Sequence, residues 1–146
     1  MKISLASDHG GFECKEKVKE YLLSKGYEVI DCGTNSLDSC NYPEFAFKAS
    51  ELVKDKQVDK GILICTSGEG VAIAANKVKG VRCGIGYNDE VARLVVEHNH
   101  CNMIAFGAKY MELKDILNRI DIFLNAKEAD GRHQIRVDEI IDYENK

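Results

Sequence analysis

The 146-residue chain reads as an α/β protein, a three-layer α/β/α sandwich built on a five-stranded parallel sheet. Three observations predict this. Short apolar runs alternate with amphipathic stretches of helical period along the whole length. One run, Gly61 to Cys65, is apolar without a break, as a strand buried on both faces must be. Polar or glycine-bearing loops follow the strands, where such sheets place their ligand sites.

Ile3 to Ser7 forms the first strand. Asp8-His9-Gly10-Gly11 leads from it into a helix with Phe12, Val18, Tyr21 and Leu22 at helix spacing, which Gly26 stops. Glu28 to Asp31 is a second strand, running into a loop rich in Gly, Thr, Asn and Ser. Pro43 then opens a helix carrying Phe45, Ala49, Leu52 and Val53. The third strand, Gly61 to Cys65, belongs at the centre of the sheet. Beyond Thr66 to Gly70 come a helix over Val71 to Val78, a strand over Val81 to Gly86, a helix over Asp89 to Glu97 and a strand over Asn102 to Gly107. A helix from Met111 to Leu124 carries Leu113, Ile116, Leu117, Ile120 and Phe123 on one face, and a last helix after Gly131 contains Ile135, Ile140 and Ile141. Parallel neighbours need crossover helices, so the alternation predicts a doubly wound sheet. With one proline and no low-complexity stretch, residues 1–146 are expected to form one domain.

Composition excludes several functions. Twenty-four acidic against 20 basic residues give a formal charge of -4, with no basic field for nucleic acid or an anionic membrane. The apolar runs are too short to span a bilayer, and the N-terminus reads as a strand, so a cytoplasmic protein is expected. Six cysteines without any Cys-x-x-Cys pair suggest free thiols serving mostly as small packing residues, and neither a disulfide framework nor a zinc ribbon.

The carboxyl ends of the strands select Asp8-His9, Cys65 to Gly70 and the loops around Asn88 and Ala108. Thr66-Ser67-Gly68-Glu69-Gly70 lies between a buried strand and a helix start, where backbone N–H groups and the helix dipole can receive a phosphate or an oxyanion. A tight turn that merely needs two glycines is the plainer alternative. The loop is neither a Walker loop nor a dinucleotide fingerprint, since no Gly-Lys-Ser/Thr follows and Ile73 stands where a third glycine is wanted. Cys65, at the strand's end, is a candidate base, the alternative being a buried core thiol. The four histidines lie in loops or helix ends and suit acid–base work; His98-Asn99-His100-Cys101 is too closely spaced for a usual metal site. Arg132 and Arg136, one helical turn apart, can share a phosphate or form a solvated face.

Taken together these segments resemble the ribose-5-phosphate isomerase B family, which also contains the galactose-6-phosphate isomerase subunits. The carriers are Ser7-Asp8-His9-Gly10-Gly11, Asp31-Cys32-Gly33-Thr34, Tyr42-Pro43, Ile62 to Cys65 with Ser67-Gly68-x-Gly70, Ile73 to Lys77, His98-Asn99, Asn102, and Gly131-Arg132-His133 with Arg136. The resemblance implies a Rossmann-like, flavodoxin-like sheet and a homodimer with active sites at the subunit interface, with further pairing into tetramers left open. It also implies interconversion of ribose 5-phosphate and ribulose 5-phosphate through an enediolate, a step of the pentose phosphate pathway, with no cofactor and no metal. By similarity, His98 would open the sugar ring, Asp8 would order the hydroxyls, Cys65 would move the proton between C2 and C1, and Ser67 would help protons move on the oxygens. The amides from Ser67 through Gly68 and Glu69 to Gly70, preceded by Thr66, would hold the enediolate oxygen. His9, Arg132, Arg136 and a basic residue of the neighbouring subunit would hold phosphate, and Tyr42 and Asn99 would line the sugar.

Four positions depart from the usual pattern: Thr66 for Gly, Glu69 inside the anion loop, His100 for Asp, and Lys109 for a phosphate-binding Arg. Lysine supplies charge at such a place but no bidentate fork. Val71 occupies the position where some relatives carry a glutamate base, which leaves Cys65 as the base. Two other readings compete. A galactose-6-phosphate isomerase subunit typically lacks the His-Asn pair and the Gly-Arg-His-x-x-Arg segment, both present here, and a non-catalytic phosphate-binding module would need the glycine loop without Cys65 and His98.

Overall fold

The computed structural model describes residues 1–146. Its five strands are β1 (Lys2–Ser7), β2 (Glu28–Asp31), β3 (Lys60–Cys65), β4 (Cys83–Ile85) and β5 (Met103–Gly107). Its six helices are α1 (Phe12–Ser24), α2 (Tyr42–Lys54), α3 (Glu69–Asn76), α4 (Asp89–Glu97), α5 (Leu113–Asn125) and α6 (Arg132–Glu144), with a single 3-10 turn at His9–Gly11. All strand pairs are parallel, in the order β2-β1-β3-β5-β4, so β3 is central as expected.

Alternation along each strand divides the core in two. Ile62 and Ile64 of β3 join Ile3, Leu5, Ile104 and Phe106 beneath α1, α4 and α5. Leu63 and Cys65 face the other way, joining Ala6, Met103 and Ala105 beneath α2 and α3. The uninterrupted apolar run of the third strand is therefore a strand covered on both sides, which is why its hydrophobicity shows no period. Small residues on the α2–α3 side, Ala46, Ala49, Ala72, Ala74 and Ala75, let these helices lie close to the sheet.

Three elements depart from the sequence expectation by two residues or more. The third helix spans Glu69–Asn76 rather than Val71 to Val78. Gly68, left-handed at φ +84°, starts it two residues earlier, and i→i−3 turns at Lys77 and Val78 end it. The fourth strand keeps only Cys83–Ile85 of the expected Val81 to Gly86. It is an edge strand, and the Asn76 amide occupies its free side: Oδ1 accepts the Cys83 N–H at 2.8 Å while Nδ2 donates to the Cys83 carbonyl at 2.9 Å. A side chain thus stands in for a sixth strand and caps an edge open to pairing. The fifth helix begins at Leu113 rather than Met111, because the amides of Tyr110 and Met111 turn back onto the Gly107 carbonyl.

A fully buried lysine braces the β2 side. Lys15 of α1, with no exposed side-chain surface, pairs with Asp31 at 2.8 Å and Glu16 at 2.9 Å, and Lys19 reaches the same Asp31 oxygen at 3.2 Å. The other Asp31 oxygen accepts the Gly33 N–H at 2.9 Å. Gly33 and Thr34 in turn bond the backbone of Ser7 at 2.8 and 2.7 Å, tying this cluster to the end of β1.

Candidate active site

The chain turns from one side of the sheet to the other between β1 and β3, and the carboxyl ends of this pair form the crevice where such sheets receive ligands. Ser7 pairs with Ile64, so the next residues, Asp8 and Cys65, come out side by side. Asp8 is 8% exposed, and its Oδ1 accepts the Gly11 N–H at 3.1 Å, which caps the 3-10 turn and holds the carboxylate. Next to it, His9 Nδ1 lies 3.2 Å from the Cys40 amide nitrogen. A backbone amide can only donate, so the imidazole carries its proton on Nε2 and has an N–H to offer a ligand.

Cys65 ends β3 with its side chain on the α2–α3 face, and the Gly68 N–H points at its sulfur across 3.1 Å. The loop beyond is stitched down from the other side: the amides of Ala108 and Lys109 donate to the carbonyls of Cys65 and Thr66 at 2.9 and 3.1 Å. Ser67 Oγ accepts the Glu69 N–H at 3.2 Å and closes the first turn of α3. The amides of Ser67, Gly70 and Val71 donate to no group of the chain, leaving a row of N–H groups at a helix N-terminus. Gly68 has to be glycine twice over, for its positive φ and because a Cβ would fall 2.9 Å from the Phe106 carbonyl carbon. The Tyr42 ring lies against Gly70, 2.7 Å from where a side chain would begin.

Three of the four departures from the family pattern lie around this centre. Thr66 and Lys109 line a hollow of about 430 Å³ on the α1–α5 side, together with Gly10 and Lys17. Glu69, although it belongs to the anion loop by sequence, is an exposed first residue of α3. Its side chain lines a larger groove of about 740 Å³ between α3 and α4, with Ser67, Ile73, Tyr87 and Val91. Cys65 takes no part in that lining.

His98 and Asn99 stand apart from this centre. They line a groove of about 330 Å³ between α4 and α6 with His133, Arg136 and Val137, while Arg132 stands exposed at the start of α6. No cavity of the chain is lined by both His98 and the Cys65 loop. Burial on α6 and the positive surroundings of His98, Arg132 and Arg136 push His133 below the usual imidazole range. His100 is not part of the groove. It is 3% exposed with its Nε2 at 2.8 Å from the Ala129 carbonyl, and pins the segment before α6. His98 and His100 therefore do not converge on a common point. The six cysteines are unpaired, and burial pushes Cys14 and Cys101 up to about 11, the behaviour of packing thiols.

Four side chains have no role assigned from the sequence. His133 was legible only as part of the Gly131-Arg132-His133 segment. Asn76 and the Lys15–Asp31 pair carry no local signal, because what they bond lies elsewhere in the chain: strand β4 for one, a second secondary-structure element for the other.

A parallel α/β sheet with a carboxylate, a thiol and an open row of amides at its switch point defines a class of protein that binds a small anionic substrate at strand ends. Residues 3–140 match the model of the Ribose/Galactose Isomerase family, and the chain belongs to that family. Ribose-5-phosphate isomerase B of Escherichia coli is 40% identical over 139 residues, covering 95% of this chain and 93% of the relative. Ribose-5-phosphate isomerase B of Clostridium thermocellum has the same fold at a TM-score of 0.98 and 43% identity, covering 99% of this chain and 98% of that one. The corresponding enzyme of Mycoplasma genitalium, solved with bound ribulose-5-phosphate, superposes at a TM-score of 0.95 and 39% identity over 99% and 97% of the two chains.

Proposed function

We propose that this protein is an aldose–ketose isomerase that interconverts D-ribose 5-phosphate and D-ribulose 5-phosphate, a single sugar-phosphate isomerase domain over residues 1–146. The observation that carries this is the junction of β1 and β3, where Asp8 and the Cys65 sulfur emerge together beneath the amides of the Ser67–Val71 turn. Proton abstraction beside a carbonyl needs a placed base and donors aimed at the oxygen that becomes negative, and this junction offers both. In the reaction Cys65 takes the C2 proton and returns it at C1, the loop amides hold the enediolate oxygen, and Ser67 relays protons between the oxygens. His98 opens the sugar ring and Asp8 orders the hydroxyls. His9, through Nε2–H, joins Arg132, Arg136 and Lys109 in holding phosphate, with Tyr42 and Asn99 along the sugar. No metal or nucleotide enters the scheme.

The separation of His98 and Arg136 from the Cys65 loop supports a homodimer in which each site draws on both subunits. The groove between α3 and α4, with exposed Ile73 and Tyr87 on its rim, offers apolar surface for such a contact. The expected setting is the cytoplasm and the pentose phosphate pathway. A coupled assay offering ribose 5-phosphate, allose 6-phosphate and galactose 6-phosphate side by side tests the reading. Turnover of ribose 5-phosphate that survives chelator supports it, and turnover of galactose 6-phosphate alone overturns it.

A further inference from the structure

The groove between α4 and α6 contains a pair of rings of which the proposed reaction uses only one. His98 caps the C-terminus of α4, its N–H bonded to the Leu94 carbonyl at 2.8 Å, and His133 sits in the first turn of α6. Their imidazoles lie face to face, with centroids 4.0 Å apart and planes 6° from parallel. Neither ring makes a hydrogen bond within the chain; of the four histidines only His9 and His100 do so. An acid–base imidazole is ordinarily oriented by a partner on its second nitrogen. His98 lacks one, and the flat contact with His133 is what holds its plane.

We propose that His133 is a positioning residue for ring opening: its ring face fixes the plane of His98 and leaves both nitrogens at the edge of His98 free for the sugar. The assignment rests on the isomerase reading above. In the step it serves, the anomeric hydroxyl loses its proton, its oxygen becomes the C1 carbonyl, the bond from C1 to the ring oxygen breaks, and the ring oxygen takes up a proton. One proton leaves and one arrives, so His98 can mediate both transfers without another reactant. Two parallel imidazoles at this distance do not both carry charge. Burial and the positive surroundings of His98, Arg132 and Arg136 lower the proton affinity of His133.

Ribulose 5-phosphate reaches the enediolate and exchanges its C1 proton without any ring step, and this gives the test. Ribose 5-phosphate is largely cyclic, whereas ribulose 5-phosphate, with its C5 oxygen esterified, cannot close a five-membered ring on C2. Initial rates would be measured with ribose 5-phosphate, alongside the entry of solvent deuterium at C1 of ribulose 5-phosphate, for wild type, H133A and H133F. H133A is expected to slow ribose 5-phosphate turnover roughly tenfold or more with KM little changed, while deuterium entry into ribulose 5-phosphate stays near wild type. H133F, which restores a flat face without a titrating group, is expected to recover most of the lost rate. Equal losses of ribose 5-phosphate turnover and of deuterium entry into ribulose 5-phosphate would overturn the proposal, as would a raised KM with kcat intact, or an H133F variant no faster than H133A. A wild-type protein inactive on both sugars would instead overturn the isomerase reading, and this inference with it.

Discussion

At the scale of single residues, the question is which group in the anion loop moves the proton. Cys65 and Glu69 are four positions apart in sequence and occupy different surroundings. The thiol is 5% exposed beside Asp8 with an amide pointing at its sulfur; the carboxylate is exposed on the rim of a groove. A base that abstracts a carbon-bound proton works best away from bulk water and close to the oxyanion donors. Cys65→Ala is accordingly expected to abolish exchange of the C2 proton with solvent, a loss of at least about a hundredfold, while a bound sugar phosphate is still detected by calorimetry. Glu69→Gln is expected to change the exchange rate less than about threefold. Normal exchange in the first variant with none in the second would transfer the role to the carboxylate. The sequence places Cys65 and Glu69 in one loop, and their difference becomes visible only once helix α3 starts at Glu69 and turns its side chain outward.

At the scale of elements, the ion cluster joining α1 to β2 is the main charged feature of the interior. Burial alone would raise the Asp31 pKa, but the Lys15 ammonium, the Gly33 amide and Lys19 outweigh it and hold the carboxyl below the usual range. Since the folded state has the lower pKa, the stabilisation is present in full above the unfolded carboxyl's value near about 4. It is lost as pH falls through the folded one. Asp31→Asn should cost about 3 kcal/mol at neutral pH by leaving Lys15 buried without its main partner, a drop of roughly 6–12 °C in Tm. As pH falls from about 4 through the folded pKa the melting temperatures of variant and wild type should converge, and a constant gap down to about pH 2 would exclude this cluster as the cause. Elements with a strong hydrophobic pattern are legible in the sequence, the periodic face of α5 and the unbroken apolar run of β3 among them. The short β4 is legible as a strand but not in its extent. Its extent is decided by the Asn76 side chain on one edge and β5 on the other, contacts that hydrophobic pattern does not encode.

At the scale of the whole molecule, the sequence lined up every candidate of the site in chain order but held no information on which of them meet within one copy. Strand ends, the glycine loop and the phosphate arginines each have a local signature, whereas the distance between His98 and Cys65 depends on where α4 and α6 lie on the sheet. If each site takes Cys65 from one subunit and His98 from the other, two dead variants can repair one another. Mixing Cys65→Ala with His98→Asn under conditions that exchange subunits should then restore about a quarter of wild-type activity, because half the dimers are mixed and each mixed dimer holds one intact site. No recovery after demonstrated exchange would place both residues in the same copy. A last consequence follows from the loop between β3 and α3, which Ala108 and Lys109 fasten from one side and Gly107 crowds from beneath. Such a loop is shaped before any sugar arrives, so its protons should report occupancy like a gauge. In hydrogen exchange the amides of Ala108 and Lys109 should be protected in the empty protein, and those of Ser67, Gly70 and Val71 should exchange quickly until a phosphorylated sugar covers them.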